Sequence, residues 1–424
     1  MQEIMRKSLI KDIDSLITIL NIGNNQKTVD TEALNKLSDH TVKDVALYKN
    51  LDAVSLAVLI YSISKIYSKL SEEKRKDLLT ELSFFRSHLS EKNLPRYNKS
   101  LQTLFDIIKC CDQDVKSHVQ NVLYAAKINK SNTLLEHGLS VTRAARAMGI
   151  SQWDILNYTG HTTIHEKHVE KVSPIKRMEY TIKLFNSIPK KGEEKILFFD
   201  AGPIITLAMA RLLWVLKPLK EKFNGRFYIT EAVKKEIVED PINIRKFKFE
   251  ALQVMKLIRE GILEIYPKEL NSEIKSITNL SNQTYKINDK WIEIIQAGEI
   301  ETIYASSHNG PKYVVIDERT IRLLIENGKE LKSLLERRTR KKVTLNMDHI
   351  KEFNSKLGKI RIIRSIELIG LAYMLDVLNP YLPLEMSEPK KVLLDSVLWD
   401  VKYNGCAVTD HEVIELKEYL LNNF

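Results

Sequence analysis

The sequence predicts a multi-domain chain in which an all-α N-terminal domain precedes an α/β domain, whose parallel sheet carries helices on both faces. Three observations predict it. At 424 residues the chain exceeds what one ordinary core organises. From residue 1 to about residue 158, apolar residues recur at three- and four-residue spacing, and no convincing strand interrupts them. Beyond residue 190, short apolar runs rich in β-branched and aromatic residues alternate with helical segments, the pattern of a parallel sheet.

Taken in order, residues 1–160 form the all-α domain. Its periodic runs at 44–69, 72–89 and 97–110 are separated by breakers: the Gly- and Asn-bearing stretch 21–30, and Asn93-Leu94-Pro95. Residues 161–190 are polar, contain Ser173-Pro174 and lead into Pro189-Lys190-Lys191-Gly192, which suits a linker helix with flexible flanks. Residues 191–424 hold the α/β domain. Strands are expected at 196–199, 226–230, 262–266, 313–316 and 359–363, with helices at 204–220, 231–239, 246–260 and 298–307 and more at the end.

Composition narrows the class. Hydrophobic residues at 44% and charged ones at 28% are ordinary for a soluble globular protein. No apolar stretch approaches bilayer length and the first residues lack a signal-peptide layout, so a cytoplasmic protein without membrane attachment is expected. The adjacent Cys110 and Cys111 and the distant Cys406 fit neither a disulfide framework nor a zinc motif. A net charge of +10 points to an anionic partner, most commonly nucleic acid, and most of the excess lies in the first 190 residues.

Two apolar runs end in aspartate, Lys195-Ile-Leu-Phe-Phe-Asp200 and Lys312-Tyr-Val-Val-Ile-Asp317, with Glu236, Glu299 and Glu301 between them. Ligands of open α/β sheets gather at the carboxyl ends of the strands, where both aspartates fall. Glu236 lies about one and a half turns into its helix and can project back toward that edge. Glu299 and Glu301 are two residues apart and cannot share a helix face. Glu301 is the expected partner, because Ile300, Ile303 and Tyr304 define the packed side that brackets it. Carboxylates brought together repel and raise one another's pKa, and a hard divalent cation, Mg²⁺ or Mn²⁺, is the natural compensation.

These segments resemble, in order and spacing, the PIN-domain ribonucleases, and most of all their prokaryotic branch associated with toxin–antitoxin systems. The resemblance rests on the run ending in Asp200, Ile229-Thr-Glu-Ala-Val-Lys-Lys-Glu236, Ala297-Gly-Glu-Ile-Glu301 and Val315-Ile-Asp317-Glu-Arg319. It continues through residues 393–410 and covers roughly 195–424. It implies a metal-dependent endoribonuclease with Asp200, Glu236, Glu301 and Asp317 as the catalytic, metal-holding set. Two features depart from the family: Gly202 stands where a small hydroxyl or Asn is usual, and the insertion at about 326–358 is long. Within that insertion, Arg337, Arg338, Arg340, Lys341 and Lys342 could follow an RNA backbone, or form a solvated face.

Residues 139–158 resemble a helix-turn-helix. Ala145 sits where the helices would cross, Gly149 supplies the turn and Ile155 anchors the second helix. Gln152 and Asn157 would then face a groove, with Arg143 and Arg146 available for phosphates. The same module occurs in small antitoxins, where it binds DNA or serves as an interaction surface, and a helical hairpin without any DNA role is the plainer alternative. His161, His165 and His168 share a helix face, and solvated histidines explain them better than zinc does.

Two readings follow. One is a ribonuclease, toxin-like and fused to a regulatory antitoxin-like or nucleic-acid-binding domain, with RNA as partner, DNA a second partner through the helix-turn-helix, and a homodimer allowed. The other is a catalytically weak or inactive PIN-like regulator or scaffold. Self-inhibition, with the N-terminal half covering the acidic site, is a third expectation.

Overall fold

The computed structural model describes residues 3–26, 71–109 except 92, 139–160, 172–189, and 194–424 except 268–270, 288–289, 310–311 and 340–341, with scattered positions between 30 and 70 and between 124 and 135. The chain divides into two compact units, Met1–Lys130 and Ser131–Phe424. This differs from the boundaries expected near residues 160 and 190: the helix-turn-helix segment belongs to the second unit.

The first unit is helical where described, with α1 (Glu3–Gln26), α2 (Glu72–Ser90) and α3 (Leu94–Lys109). The Ser71 hydroxyl caps α2 by accepting the Lys74 N–H. Leu9, Ile13, Leu16 and Leu20 form one buried stripe of α1, and it packs with Leu78, Leu82, Phe85 and Leu89 of α2. Phe85 stacks on Tyr97 with ring centroids 4.6 Å apart. Most of the expected helical run 44–69, and Cys110 and Cys111, lie outside the described residues.

The second unit begins with α4 (Val141–Met148) and α5 (Gln152–Gly160), then α6 (Pro174–Asn186) and β1 (Ile196–Phe199). Next come α7 (Ala201–Met209), α8 (Leu216–Phe223), β2 (Arg226–Ile229), α9 (Glu231–Lys234), α10 (Lys248–Arg259) and β3 (Glu264–Ile265). After these lie α11 (Asn271–Asn282), β4 (Tyr285–Ile287), β5 (Lys290–Trp291), α12 (Ala297–His308), β6 (Tyr313–Val315) and α13 (Arg319–Glu326). The chain then forms α14 (Gly328–Thr339), β7 (Val343–Leu345), α15 (Met347–Leu357) and β8 (Arg361–Ile363). It ends with α16 (Ser365–Met374), α17 (Pro389–Tyr403) and α18 (Asp410–Asn423).

β1, β2, β3, β6 and β8 form a parallel sheet in the order β3-β2-β1-β6-β8. Alternate residues of each strand feed two cores. Leu197, Phe199, Phe227, Ile229, Val315 and Ile363 face one core, with Ile204 of α7 and Leu394 and Leu398 of α17. Phe198, Tyr228, Val314 and Ile362 face the other, with Ile300 and Ile303 of α12. Helices cover both faces, which is the α/β arrangement expected.

One further expectation changes. α6 is part of the core rather than a linker, since the fully buried Arg177 bonds Glu326 bidentately at 2.8 and 2.7 Å and donates to the Ile362 carbonyl. The long insertion is folded too: α14, β7 and α15 follow one another, and β7 joins β4 and β5 in a second, antiparallel sheet.

Candidate functional site

The chain runs outward from β1 to β2 and β3 on one side, and through β6 to β8 on the other, so β1 and β6 flank the topological switch point of the sheet. Asp200 follows β1 and Asp317 follows β6. They are neighbours across that crevice: a Cβ built on Gly202 would lie 3.6 Å from Asp200 Oδ2 and 3.8 Å from Asp317 Cβ. Asp200 caps α7, its side chain accepting the Gly202 N–H at 3.4 Å, while its own N–H donates to the Val315 carbonyl. Burial, opposed by the Ala201 and Gly202 amides and aided by Asp317, raises its carboxyl to about 6.

Asp317 is fixed from the start of α16, just beyond β8. Ser365 donates its N–H to Oδ1 at 2.8 Å and its hydroxyl to Oδ2 at 2.7 Å. Arg322 donates to the Asp317 carbonyl and, at 2.7 Å, to that of Ala407. Beneath lies a fully buried ion network, in which Arg364 bonds Glu367 and Glu412 at 2.6 Å each and Glu412 also pairs with Arg319 at 3.6 Å. Neither Ser365 nor this network was expected from the sequence. A Ser at the start of a helix after an apolar strand was the available signal, and it reads equally as an ordinary cap.

Glu236 lies in a π-helical turn, Lys235–Glu239, that continues α9. It approaches the start of α12, where a Cβ on Gly298 would come within 3.8 Å of Glu236 Oε1. Burial first, then Asp200 and Glu299, push the Glu236 carboxyl up to about 8. Here the expectation for α12 is corrected. Glu299 faces this group: it is buried, and its carboxyl is raised well above the usual range by burial, Glu318 and Asp200, while it accepts the Gln296 N–H in a capping box. Glu301 is half-buried and interacts with Glu231 and the Ala232 amide instead. The packing of the fully buried Ile300 and Ile303 sets the helix rotation, and the capping bond holds the Glu299 side chain. The structure therefore brings together Asp200, Asp317, Glu236 and Glu299, with Glu318 behind Glu299, and leaves Glu301 aside.

The helix-turn-helix residues lie against this group. Ser140 caps α4, Gly149 closes it at φ 61°, and Ala145 and Ile155 are buried at the crossing. Gln152 and Asn157, expected to face a groove, face the α/β core. Gln152 Nε2 lies 3.3 Å from Glu236 Oε2 and 3.5 Å from the Glu236 carbonyl, and Trp153 Nε1 donates to that carbonyl at 3.3 Å. Asn157 donates to Asn404 Oδ1 at 3.4 Å. The Val141 N–H donates to Glu318 Oε2 at 3.1 Å, and Ser140 lies beside Glu299, lowering its carboxyl against the larger effect of burial. Asp154 is buried and pairs with Lys246. Arg143 pairs with Glu293 and feels the charge of Glu299, whereas Arg146 is exposed. The reason is apolar: Trp153, Ile155 and Leu156 are buried within the α/β core, so α5 has little polar face left to present.

In the insertion, Arg337 and Lys342 are exposed, and Lys342 lines an open hollow of about 600 Å³ with Lys329 and Lys332. Arg340, Lys341 and the side chain of Arg338 lie outside the described residues, as do His161, His165 and His168. Among the described residues no group of three or more His, Cys, Asp and Glu stands in an arrangement that holds a metal ion, and no single helix is long and apolar enough to cross a membrane.

No family model, curated protein or solved structure matches the chain.

Proposed function

We propose that the second unit is a PIN-like, metal-dependent endoribonuclease, and that Asp200, Glu236, Glu299 and Asp317 are its acidic set. The observation that carries this reading is the pairing of Asp200 and Asp317 across the switch point, with Glu236 and Glu299 converging on Asp200. The resemblance of residues 195–424 to the PIN-domain ribonucleases supports the same reading.

By the chemistry of its donors the set suits Mg²⁺ or Mn²⁺, while in the docked arrangement of α5 its side chains do not converge as metal ligands. Every donor is a hard carboxylate oxygen, and burial with mutual repulsion raises Asp200 and Glu236, a cost that a divalent cation offsets. These four residues would hold it. A bound cation supplies Lewis acidity, lowering the pKa of water and offsetting charge on the phosphate. The chain's own part is to bind and orient. Ser365 locks the Asp317 rotamer, so this one of the four posts is fixed by the fold. Lys329, Lys332 and Lys342 offer phosphate contacts that place RNA without reading its sequence.

The test is cleavage of single-stranded RNA by the full chain and by Gln152→Ala, with Mg²⁺ or Mn²⁺. Cleavage should vanish in EDTA and fall to background in Asp200→Asn. RNA binding that is equally tight in EDTA, with no cation-dependent cleavage from either protein, would instead favour the regulator or scaffold reading, which the bonds from Gln152 and Val141 onto Glu236 and Glu318 already support.

A further inference from the structure

We propose that the helix-turn-helix is a reversible cover built into the same chain: with α5 docked, it closes the acidic site, and with α5 displaced, it frees Glu236, Glu299 and Glu318 to turn into the crevice. This rests on the nuclease reading and names the regulation of that site. Two polar groups from residues 140–152 bond two different carboxylates, the Val141 N–H on Glu318 and the Gln152 amide on Glu236, and Ser140 lies beside a third, Glu299. All three carboxylates lie on elements beside Asp200. The contact is aimed at the acidic group rather than at the α/β surface in general.

The backbone of the π-helical turn is held as well. Its Glu236 carbonyl accepts from both Gln152 and Trp153, so the segment that carries the carboxylate is tied to α5 at two levels, main chain and side chain. Trp153 is the anchor, buried against Phe247 with ring centroids 5.4 Å apart. At its far end α5 rests on the end of α17: a Cβ on Gly160 would fall 2.0 Å from the Tyr403 carbonyl oxygen, so only glycine permits this approach.

Docking can therefore be weakened from either end without touching a carboxylate. In the full chain, Gln152→Ala removes the bond to Glu236, Trp153→Phe keeps the ring but loses the donor, and Gly160→Ala forces α5 off Tyr403. Mn²⁺ affinity, read by calorimetry, and cleavage of a labelled single-stranded RNA should each rise about tenfold or more in these variants, because the competent fraction rises. Hydrogen exchange across residues 141–160 should rise with them, and adding Asp200→Asn should abolish both gains.

Outcomes separate the two ideas. If Gln152→Ala and Trp153→Phe keep the parent's unfolding temperature, Mn²⁺ affinity and cleavage rate while Asp200→Asn is dead, the cover is refuted and the nuclease stands. If Mn²⁺ affinity rises but no RNA is cut, the cover stands and the nuclease reading falls. If no protein binds Mn²⁺, both fall. Should Gly160→Ala fail to fold, the other two variants decide.

Discussion

The two sides of the acidic crevice are held in different ways. On the β6–β8 side, Asp317 is satisfied by the α/β core itself: both carboxylate oxygens accept from Ser365, and its carbonyl accepts from Arg322. On the β1 side, Asp200, Glu236 and Glu299 are buried beside one another and raised by that burial. Asp200 accepts from the α7 amides and Glu299 from the Gln296 N–H, but the side-chain bond to Glu236 comes from Gln152 of the helix-turn-helix. The first side is preorganised by folding, whereas the second needs an external partner, either the cover or a cation. A buried carboxylate without such a partner takes a proton rather than stay charged.

The largest effect should come from breaking the preorganised side. Arg364→Ala leaves Glu367 and Glu412 buried without their shared cation, and a broken buried pair of this kind costs about 3–5 kcal/mol. Denaturant unfolding of the variant should show that loss, and Arg364→Lys should recover only part of it, since one ammonium cannot bridge both carboxylates in a planar fork. A loss under about 1 kcal/mol would mean that folding does not supply the rigidity of this side.

Next in size is Ser365→Ala. It removes the hydroxyl on Asp317 Oδ2 but keeps the N–H on Oδ1, and outer partners of metal-holding groups are worth about 10–100-fold in affinity or activity. Mn²⁺ titration and RNA cleavage should fall by that factor at little change in unfolding temperature. Equal effects of Ser365→Ala and Gln152→Ala, in sign as well as size, would erase the distinction between the two sides.

How much of this was legible in the sequence follows from what fixes each residue. Asp200 and Asp317 were legible, because an apolar run that ends in aspartate places the side chain at a strand's carboxyl end whatever surrounds it. The two-faced parallel sheet was legible from the alternation of strands and helices. Glu299 was not. The choice against Glu301 turns on helix rotation, and that is set by how Ile300 and Ile303 pack against the sheet, which only tertiary contact decides. Exchanging each for Gln tests the outcome: Glu299→Gln should relieve buried repulsion, raise the unfolding temperature of the metal-free chain and weaken Mn²⁺ binding, while Glu301→Gln should leave Mn²⁺ binding unchanged. The docking of α5 was illegible for a similar reason. Its pattern of apolar residues is the same whether they pack on α4 alone or on an α/β core as well, and only tertiary contact decides which.

A smaller effect concerns pH. Burial and then Asp200 hold Glu236 at about 8 against an ordinary 4.5, and burial holds Asp200 at about 6 against 3.8. The unfolded chain releases these protons near the ordinary values, so between those values and the raised ones the folded state binds more protons. Stability of the metal-free chain therefore falls as pH rises through that window. Thermal unfolding at about pH 5 should lie above that at about pH 8, and Glu236→Gln should flatten the upper part of the fall. A midpoint that rises over the same range would show that this side is compensated as fully as the Asp317 side.

The smallest change expected is at Gly202, the position between the two aspartates. Its backbone is helical, and a Cβ there would meet Asp200 Oδ2 and Asp317 Cβ only at ordinary contact distance, 3.6 and 3.8 Å. Gly202→Ser therefore fits without displacing either carboxylate. In a helix, replacing Gly by a residue with a Cβ removes an entropic cost of roughly 0.5–1 kcal/mol, so a slight gain in unfolding temperature is expected. The added hydroxyl would reach the Asp200 carboxylate, which, among the described residues, no side chain of the α/β core serves as Ser365 serves Asp317. Mn²⁺ affinity should rise modestly, and the gain should be larger in the Gln152→Ala background, where the cover no longer engages Glu236. A gain of the same size in both backgrounds would place the weakness of this side in Asp200 alone and not in its coupling to the cover.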